Sequence, residues 1–90
     1  MCKVTITVIN ETGLHARPAT DFVKLAKKYK SSITIRRLDG DTGAVNAKSI
    51  MHVLSAAINK GADVEIIAEG EDEAVAVDAL TALIKSKFGE

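Results

Sequence analysis

Ninety residues are read as one small domain spanning 1–90, with material for a single modest core. Twelve basic and twelve acidic residues give a formal net charge of zero, and the aromatics are one tyrosine and two phenylalanines. That balance argues against nucleic acid or a membrane surface as the main partner and leaves little for base stacking.

The lone Cys2 excludes an intramolecular disulfide and sits at a terminus, where it reads as incidental. No charged-then-apolar leader precedes the first strand, and no apolar run approaches membrane-spanning length. The expectation is a soluble, cytoplasmic protein that does not insert into membranes.

Along the chain, residues 3–9 alternate, with Val4, Ile6 and Val8 on one face and Lys3, Thr5 and Thr7 on the other. This predicts a strand with one buried face. The run Gly13-Leu14-His15-Ala16-Arg17-Pro18-Ala19-Thr20 follows, where a strand gives way to a helix. Gly13 allows a turn that a side chain would forbid. Pro18 suits the first helical turn, where its missing N–H is no loss. His15 is thereby placed at or just before the helix N-terminus, beside unsatisfied N–H groups and the positive end of the dipole.

The chemistry of that placement is a phosphate site with a nucleophile built in. A positive helix end disfavours imidazolium and leaves the ring a lone pair for attack. Once the ring carries a phosphoryl group, the same N–H groups and Arg17 face its oxygens. A helix end supplies about 0.3–1 kcal/mol at the surface. A hydrogen bond to a charged group adds about 1.5–3 kcal/mol. Such amounts hold a phosphoryl group without trapping it. No Walker-type loop is present, so self-phosphorylation from a nucleotide is not expected.

Ala19, Phe22, Val23, Ala26 and Tyr29 then recur at helical spacing, with Lys24, Lys27, Lys28 and Lys30 on the remaining surface. Lys24 and Lys27 would steer an acidic partner. Ser31-Ser32 breaks the helix, and Ile33–Arg36 resumes strand alternation. Asp39-Gly40-Asp41-Thr42-Gly43 is a turn signal leading to a short strand at Ala44-Val45. Asn46 is the expected cap of a second helix, with Ile50, Val53, Leu54, Ala57 and Ile58 as its buried stripe and Gly61 as its stop. Met51 falls at or beyond the edge of that stripe, and Ser49 in the first turn.

Val64, Ile66 and Ala68 alternate against Asp63, Glu65 and Ile67 as a further strand. Gly70 turns the chain, and Glu71, Asp72 and Glu73 put acids at the start of a third helix. Val77, Leu80, Leu83, Ile84 and Phe88 form its expected inner face, with Lys85 and Lys87 at its end. The order βαββαβα predicts an α+β protein, helices on one face of an antiparallel sheet and water on the other. The pattern alone also permits other ferredoxin-like arrangements. His52 reads as a surface residue. Two histidines without a carboxylate or cysteine at ligand spacing make no metal site, and no cofactor is implied.

The Gly13–Thr20 run resembles the active-site signature of the HPr family, the histidine-containing phosphocarriers of the bacterial phosphotransferase system. The resemblance extends to Lys48-Ser49-Ile50-Met51 and to the order of segments over essentially the whole chain. It implies an open-faced β-sandwich, four antiparallel strands covered on one side by three helices. It also implies that His15 accepts a phosphoryl group from phospho-enzyme I, itself charged by phosphoenolpyruvate, and hands it to the A domain of a sugar-specific enzyme II. Family precedent places the group on Nδ1; the residues alone do not distinguish the ring nitrogens. In this reading His15 and Arg17 are catalytic, and Ala16, Arg17 and Pro18 make up the phosphate-binding set, the first two through their amides and Pro18 by fixing the helix start. Leu14, Ala16, Thr20, Ile50, Met51 and Leu54 become the docking surface.

Ser49 matches the serine that an ATP-dependent HPr kinase phosphorylates in many members of the family. About two negative charges beside a docking patch would impede phosphotransfer and favour a regulatory partner such as a transcriptional regulator. One departure is visible: the stretch from His15 to Ser49 is a few residues longer than in typical members, with the excess assigned to the Arg36–Gly43 region. That leaves the His15 chemistry intact and keeps open a regulatory paralogue, nitrogen-type or other. A different class is a ferredoxin-like small-ligand domain with Gly13 in the ligand loop. A self-sufficient hydrolase lacks a general base or metal set near His15. A carrier that shows one docking face to successive partners is expected to be a monomer with no turnover of its own.

Overall fold

The computed structural model describes residues 1–39 and 43–89. Its elements are β1 (Cys2–Thr7), α1 (Ala16–Ala26), β2 (Ser32–Arg37), β3 (Val45–Asn46), α2 (Ile50–Ser55), β4 (Asp63–Glu69) and α3 (Glu73–Lys85), closed by a 3-10 turn, Lys87–Gly89. The strands form one antiparallel sheet in the order β1-β4-β2-β3. The register aligns Val4 with Ile66 and Ile66 with Ile35, so alternate residues of three strands share one face. On that face Ile33, Ile35, Val64, Ile66 and Ala68 are buried under the helices. The other side carries Lys3, Thr5, Thr34, Arg36 and Glu65, where Arg36 Nη2 pairs with Glu65 Oε1 at 3.0 Å. The architecture is an open-faced β-sandwich, and the period-2 alternation of β1 and β4 dictates which side is open.

The helices pack as their stripes require. In α1, Ala19, Phe22, Val23 and Ala26 are buried; in α3, Ala76, Val77, Leu80 and Ile84 are. α3 lies over β1 and β4, and α1 contacts both α2 and α3. Each fully buried Leu, Ile or Phe contributes about 1.5–3 kcal/mol to this core. Leu83 is only half-buried, and Phe88 is not on the inner face of α3 at all. It lies in the terminal 3-10 turn with φ +56, where the chain has left the helical path.

The middle of the chain departs most from the sequence-based expectation. β3 is Val45–Asn46, not Ala44-Val45, and Asn46 pairs with Thr34 in the ladder instead of capping α2. The cap is Ser49, whose Oγ accepts the His52 N–H at 3.3 Å. Asn46 Oδ1 instead accepts the Lys48 N–H at 2.9 Å, shaping the turn between β3 and α2. α2 stops at Ser55, so Ala57 (φ +51, exposed) and the buried Ile58 lie beyond the helix, and Gly61 belongs to the turn into β4. Within α2 it is Val53 that is wholly buried, with Ala56 just after it. The expected turn at Asp39–Gly43, and with it the extra length before Ser49, falls partly outside the described residues.

Side-chain clamps close the frame. Asp72 accepts the N–H groups of Lys30 and Ser31 at 2.8 and 2.9 Å, and also the Ser31 hydroxyl. These donors, Ser31 Oγ foremost, hold its carboxyl at about 2 against an ordinary 3.8. Glu73 binds the terminal ammonium of Met1 and accepts the Gly70 N–H, which lowers its carboxyl from 4.5 to about 2. Lys48 Nζ donates to the Tyr29 carbonyl at 2.7 Å and so ties the approach to α2 to the turn that follows α1. No described helix is long and apolar enough to cross a membrane.

Candidate functional site

The connection from β1 to α1 is built by short-range hydrogen bonds. Asn10 is wholly buried, and its Nδ2 donates to the Gly13 carbonyl at 2.9 Å and to Thr12 Oγ1 at 3.2 Å. The Gly13 N–H returns to the Asn10 carbonyl at 3.2 Å, closing a tight turn with Gly13 at φ +67. A Cβ on Gly13 would stand 2.6 Å from the Ile58 carbonyl oxygen and 2.8 Å from Asn59 Cα. Glycine is therefore required twice over, by backbone angle and by contact. The Leu14 N–H donates to that same Ile58 carbonyl at 2.9 Å. The turn and this bond drive the Leu14 side chain inward, where it is 0 % exposed. Leu14 is thus a core anchor, not the docking residue expected from the resemblance.

His15 is the N-cap of α1, with extended backbone angles (φ −130, ψ 162) and no capping bond from its side chain. The ring's Nε2 lies 2.7 Å from Asn59 Oδ1. Ala16, next in line, has φ +50, a left-handed conformation that costs a non-glycine residue about 1–2 kcal/mol. As first-turn residues, Ala16 and Arg17 have N–H groups with no acceptor inside the helix. Pro18 is buried and has no N–H. Placed among the phosphate-binding residues by the resemblance, it shapes the helix start but donates nothing.

Arg17 is exposed and borders an open hollow of ≈ 470 Å³ together with Pro18, Asp21, Phe88 and Gly89. Its guanidinium makes no ion pair with a described residue. The site thus offers an imidazole ring, two free N–H donors, a positive helix end and a guanidinium, a combination suited to receiving and releasing a phosphoryl group. Among the described residues no cluster of three or more His, Cys, Asp or Glu could hold a metal ion.

The second run lies on α2, packed against α1. Met51 is 74 % exposed and Leu54 39 %, while Ile50 is half-buried against the core and Thr20 is exposed on α1. Leu54 is therefore a surface residue, contrary to its place in the predicted stripe. The Ser49 side chain is half-buried and already engaged in capping. His52 is exposed and joins no part of the His15 site.

Two residues of the site were not singled out from sequence. Asn10 carries a faint signal, an Asn three residues before a turn Gly. Asn59 carries none, since 44 residues separate it from His15 and only the fold joins them.

Comparisons with known proteins identify the family. Residues 2–86 match the family model described as the PTS HPr component phosphorylation site. The chain is 43 % identical over 90 residues to a phosphocarrier protein HPr of Treponema pallidum, covering all of this chain and 99 % of that protein. It is 36 % identical over 88 residues to a multiphosphoryl transfer protein of Haemophilus influenzae, covering 98 % of this chain but 18 % of that longer protein. Among solved structures, the crystal structure of an HPr from Thermoanaerobacter tengcongensis superposes with a TM-score of 0.93 at 50 % identity, covering 100 % of this chain and 98 % of that one. This chain belongs to the HPr family, the phosphocarriers of the phosphotransferase system.

Proposed function

We propose that the protein relays a phosphoryl group through His15 from phospho-enzyme I to the A domain of a sugar-specific enzyme II. The observation that carries this reading is the uncapped start of α1. There His15 is the N-cap residue, followed directly in the first turn by the N–H groups of Ala16 and the exposed Arg17. A ring-nitrogen lone pair attacks phosphorus in line, the new N–P bond forms as the donor's N–P bond breaks, and the donor histidine keeps its electron pair. Such a transfer needs chiefly positioning and charge stabilisation, which Arg17 and the amides of Ala16 and Arg17 supply. The match to 18 % of a multiphosphoryl transfer protein supports a role as one carrier in a chain of carriers.

Thr20, Ile50, Met51 and Leu54 form the docking surface in this reading, with Met51 as its most exposed apolar member. A flexible, polarisable side chain suits a surface that must fit successive partners. The protein works as a single-domain cytoplasmic monomer, since an oligomer covering that face would block the relay. Ser49 is the regulatory site: an HPr kinase places a phosphate there, where the first turn of α2 tolerates charge. The added charge then disfavours enzyme I and favours a regulatory partner.

Offering the phosphorylated protein to purified A domains and to regulatory acceptors tests the assignment. Transfer to a sugar-specific A domain within seconds is the expected result. Transfer only to a regulatory acceptor would make the protein a paralogue serving regulation.

A further inference from the structure

Two contacts, from Leu14 and Glu11, hold the segment from Ala57 to Lys60 against the His15 turn, and two more, from Arg37 and Ala62, brace it from other sides. Arg37 Nη1 donates to the Ala57 carbonyl at 2.8 Å, and Leu14 N–H to the Ile58 carbonyl at 2.9 Å. The Asn59 carbonyl accepts the Ala62 N–H at 3.0 Å, and Lys60 Nζ meets Glu11 Oε1 at 2.7 Å. The missing side chain of Gly13 lets the two backbones touch. The outcome is that the Asn59 side chain, although exposed, reaches His15 Nε2 at 2.7 Å with its oxygen.

We propose that Asn59 is a positioning residue for phosphoryl transfer: its Oδ1 accepts the Nε2–H of His15 and so leaves the Nδ1 lone pair as the nucleophile. The inference deepens the phosphocarrier reading and rests on it. A neutral imidazole has one donor and one acceptor nitrogen, and the partner of one decides the role of the other. When Nδ1 takes the phosphoryl group, Nε2 keeps its hydrogen and the ring gains positive charge as the donor's N–P bond breaks. An acceptor at Nε2 serves the ring before attack and stabilises it after attack. An amide N–H in the same place would serve neither state, because it would hold the lone pair at Nε2 and put the hydrogen on Nδ1. The same bond limits rotation of the ring, so Nδ1 stays aimed at the phosphoryl group.

The test combines a spectroscopic and a kinetic readout on the full chain. Long-range proton–nitrogen correlation spectra at alkaline pH report which ring nitrogen bears the hydrogen. The exposed His52 ring, which makes no hydrogen bond or ion pair with a described residue, serves as control in the same spectrum. Wild-type His15 is expected almost wholly as the Nε2–H tautomer, and Asn59→Ala is expected to move it to the mixture seen at His52. Phosphoryl uptake from phospho-enzyme I should fall about five- to tenfold in Asn59→Ala, as for one lost hydrogen bond. Asn59→Asp, which keeps an acceptor oxygen, should retain the tautomer and most of the rate. An unchanged tautomer in Asn59→Ala, or a wild-type ring with hydrogen on Nδ1, would overturn the proposal. So would a rate loss in Asn59→Ala without any tautomer change. A locked tautomer in a wild-type protein that takes no phosphate from an active enzyme I would instead overturn the phosphocarrier reading, and with it any role of Asn59 in transfer.

Discussion

The starts of α1 and α2 adjoin different chemistry because they are finished differently. α2 is capped by its own Ser49, whose Oγ occupies the His52 N–H, and its entry is tied down by Asn46 and Lys48. α1 has no side-chain cap, begins with a left-handed Ala16, and sets the His15 ring against Asn59. An uncapped helix end is a local loss of stability, since N-cap hydrogen bonds contribute about 1 kcal/mol. Here the loss leaves donors and the positive dipole end open to an incoming phosphate. The capped end offers stability and a hydroxyl, but a modification there must replace an existing bond. In the proposed function, one helix start carries the relay and the other carries its control.

Substitutions that disturb either start sharpen this contrast. The largest effect is expected at Gly13. A Gly13→Ala side chain must take φ +67 and collide with the Ile58 carbonyl. Left-handed strain of about 1–2 kcal/mol and overpacking of about 1–3 kcal/mol sum to about 2–5 kcal/mol of lost stability in urea unfolding. A loss under about 1 kcal/mol would mean that the turn and the Ile58–Asn59 backbone do not touch as described.

The Ser49 variants come next. Ser49→Ala should cost about 1 kcal/mol, while Ser49→Asp, another good cap, should stay within a few tenths of wild type. If the proposed regulation is right, Ser49→Asp nevertheless slows phosphoryl uptake from enzyme I, whereas Ser49→Ala leaves the rate near normal. Equal rates in both variants would remove Ser49 from the account of control.

Ala16→Gly probes the other end with the opposite sign. Relief of about 1–2 kcal/mol of strain is offset by about 0.5–1 kcal/mol of extra freedom in the unfolded chain, leaving a gain of up to about 1.5 kcal/mol. A loss of stability would show that the left-handed angle is not strained in this setting.

The smallest effect concerns the start of α3, where Asp72 turns back to Ser31. Its carboxyl sits at about 2 in the fold against an ordinary 3.8, so the contribution is complete above roughly pH 4 and disappears as the pH falls through about 2. Urea midpoints should fall across that interval, and the Asp72→Asn variant should start lower at neutral pH and fall less steeply. Parallel profiles for the two proteins would contradict the assignment.

The parts legible in the sequence are those governed by periodicity and local chemistry. Alternation located β1 and β4, and the α1 and α3 stripes located most of the residues that are buried. The Gly, His, Arg and Pro of the site could be ordered around a helix start because each acts within a few residues of itself. Tertiary competition governed the rest. Asn46 has the chemistry of a cap but is drawn into the ladder opposite Thr34, and the cap passes to Ser49. Leu14 resembled a surface loop residue until Gly13 and Ile58 turned it inward. Asn59 meets His15 only because Gly13 leaves room for the two segments to touch.

The central claim is that the open start of α1 is where phosphate is carried. Incubation with phosphoenolpyruvate and purified enzyme I, followed by intact-mass analysis of wild type and His15→Ala, tests it most directly. An acid-labile gain of one phosphate is expected in the wild type and none in the variant, with the variant folded as stably as the parent. A gain that survives in His15→Ala, or no gain in the wild type while the same enzyme I charges another carrier, would contradict it.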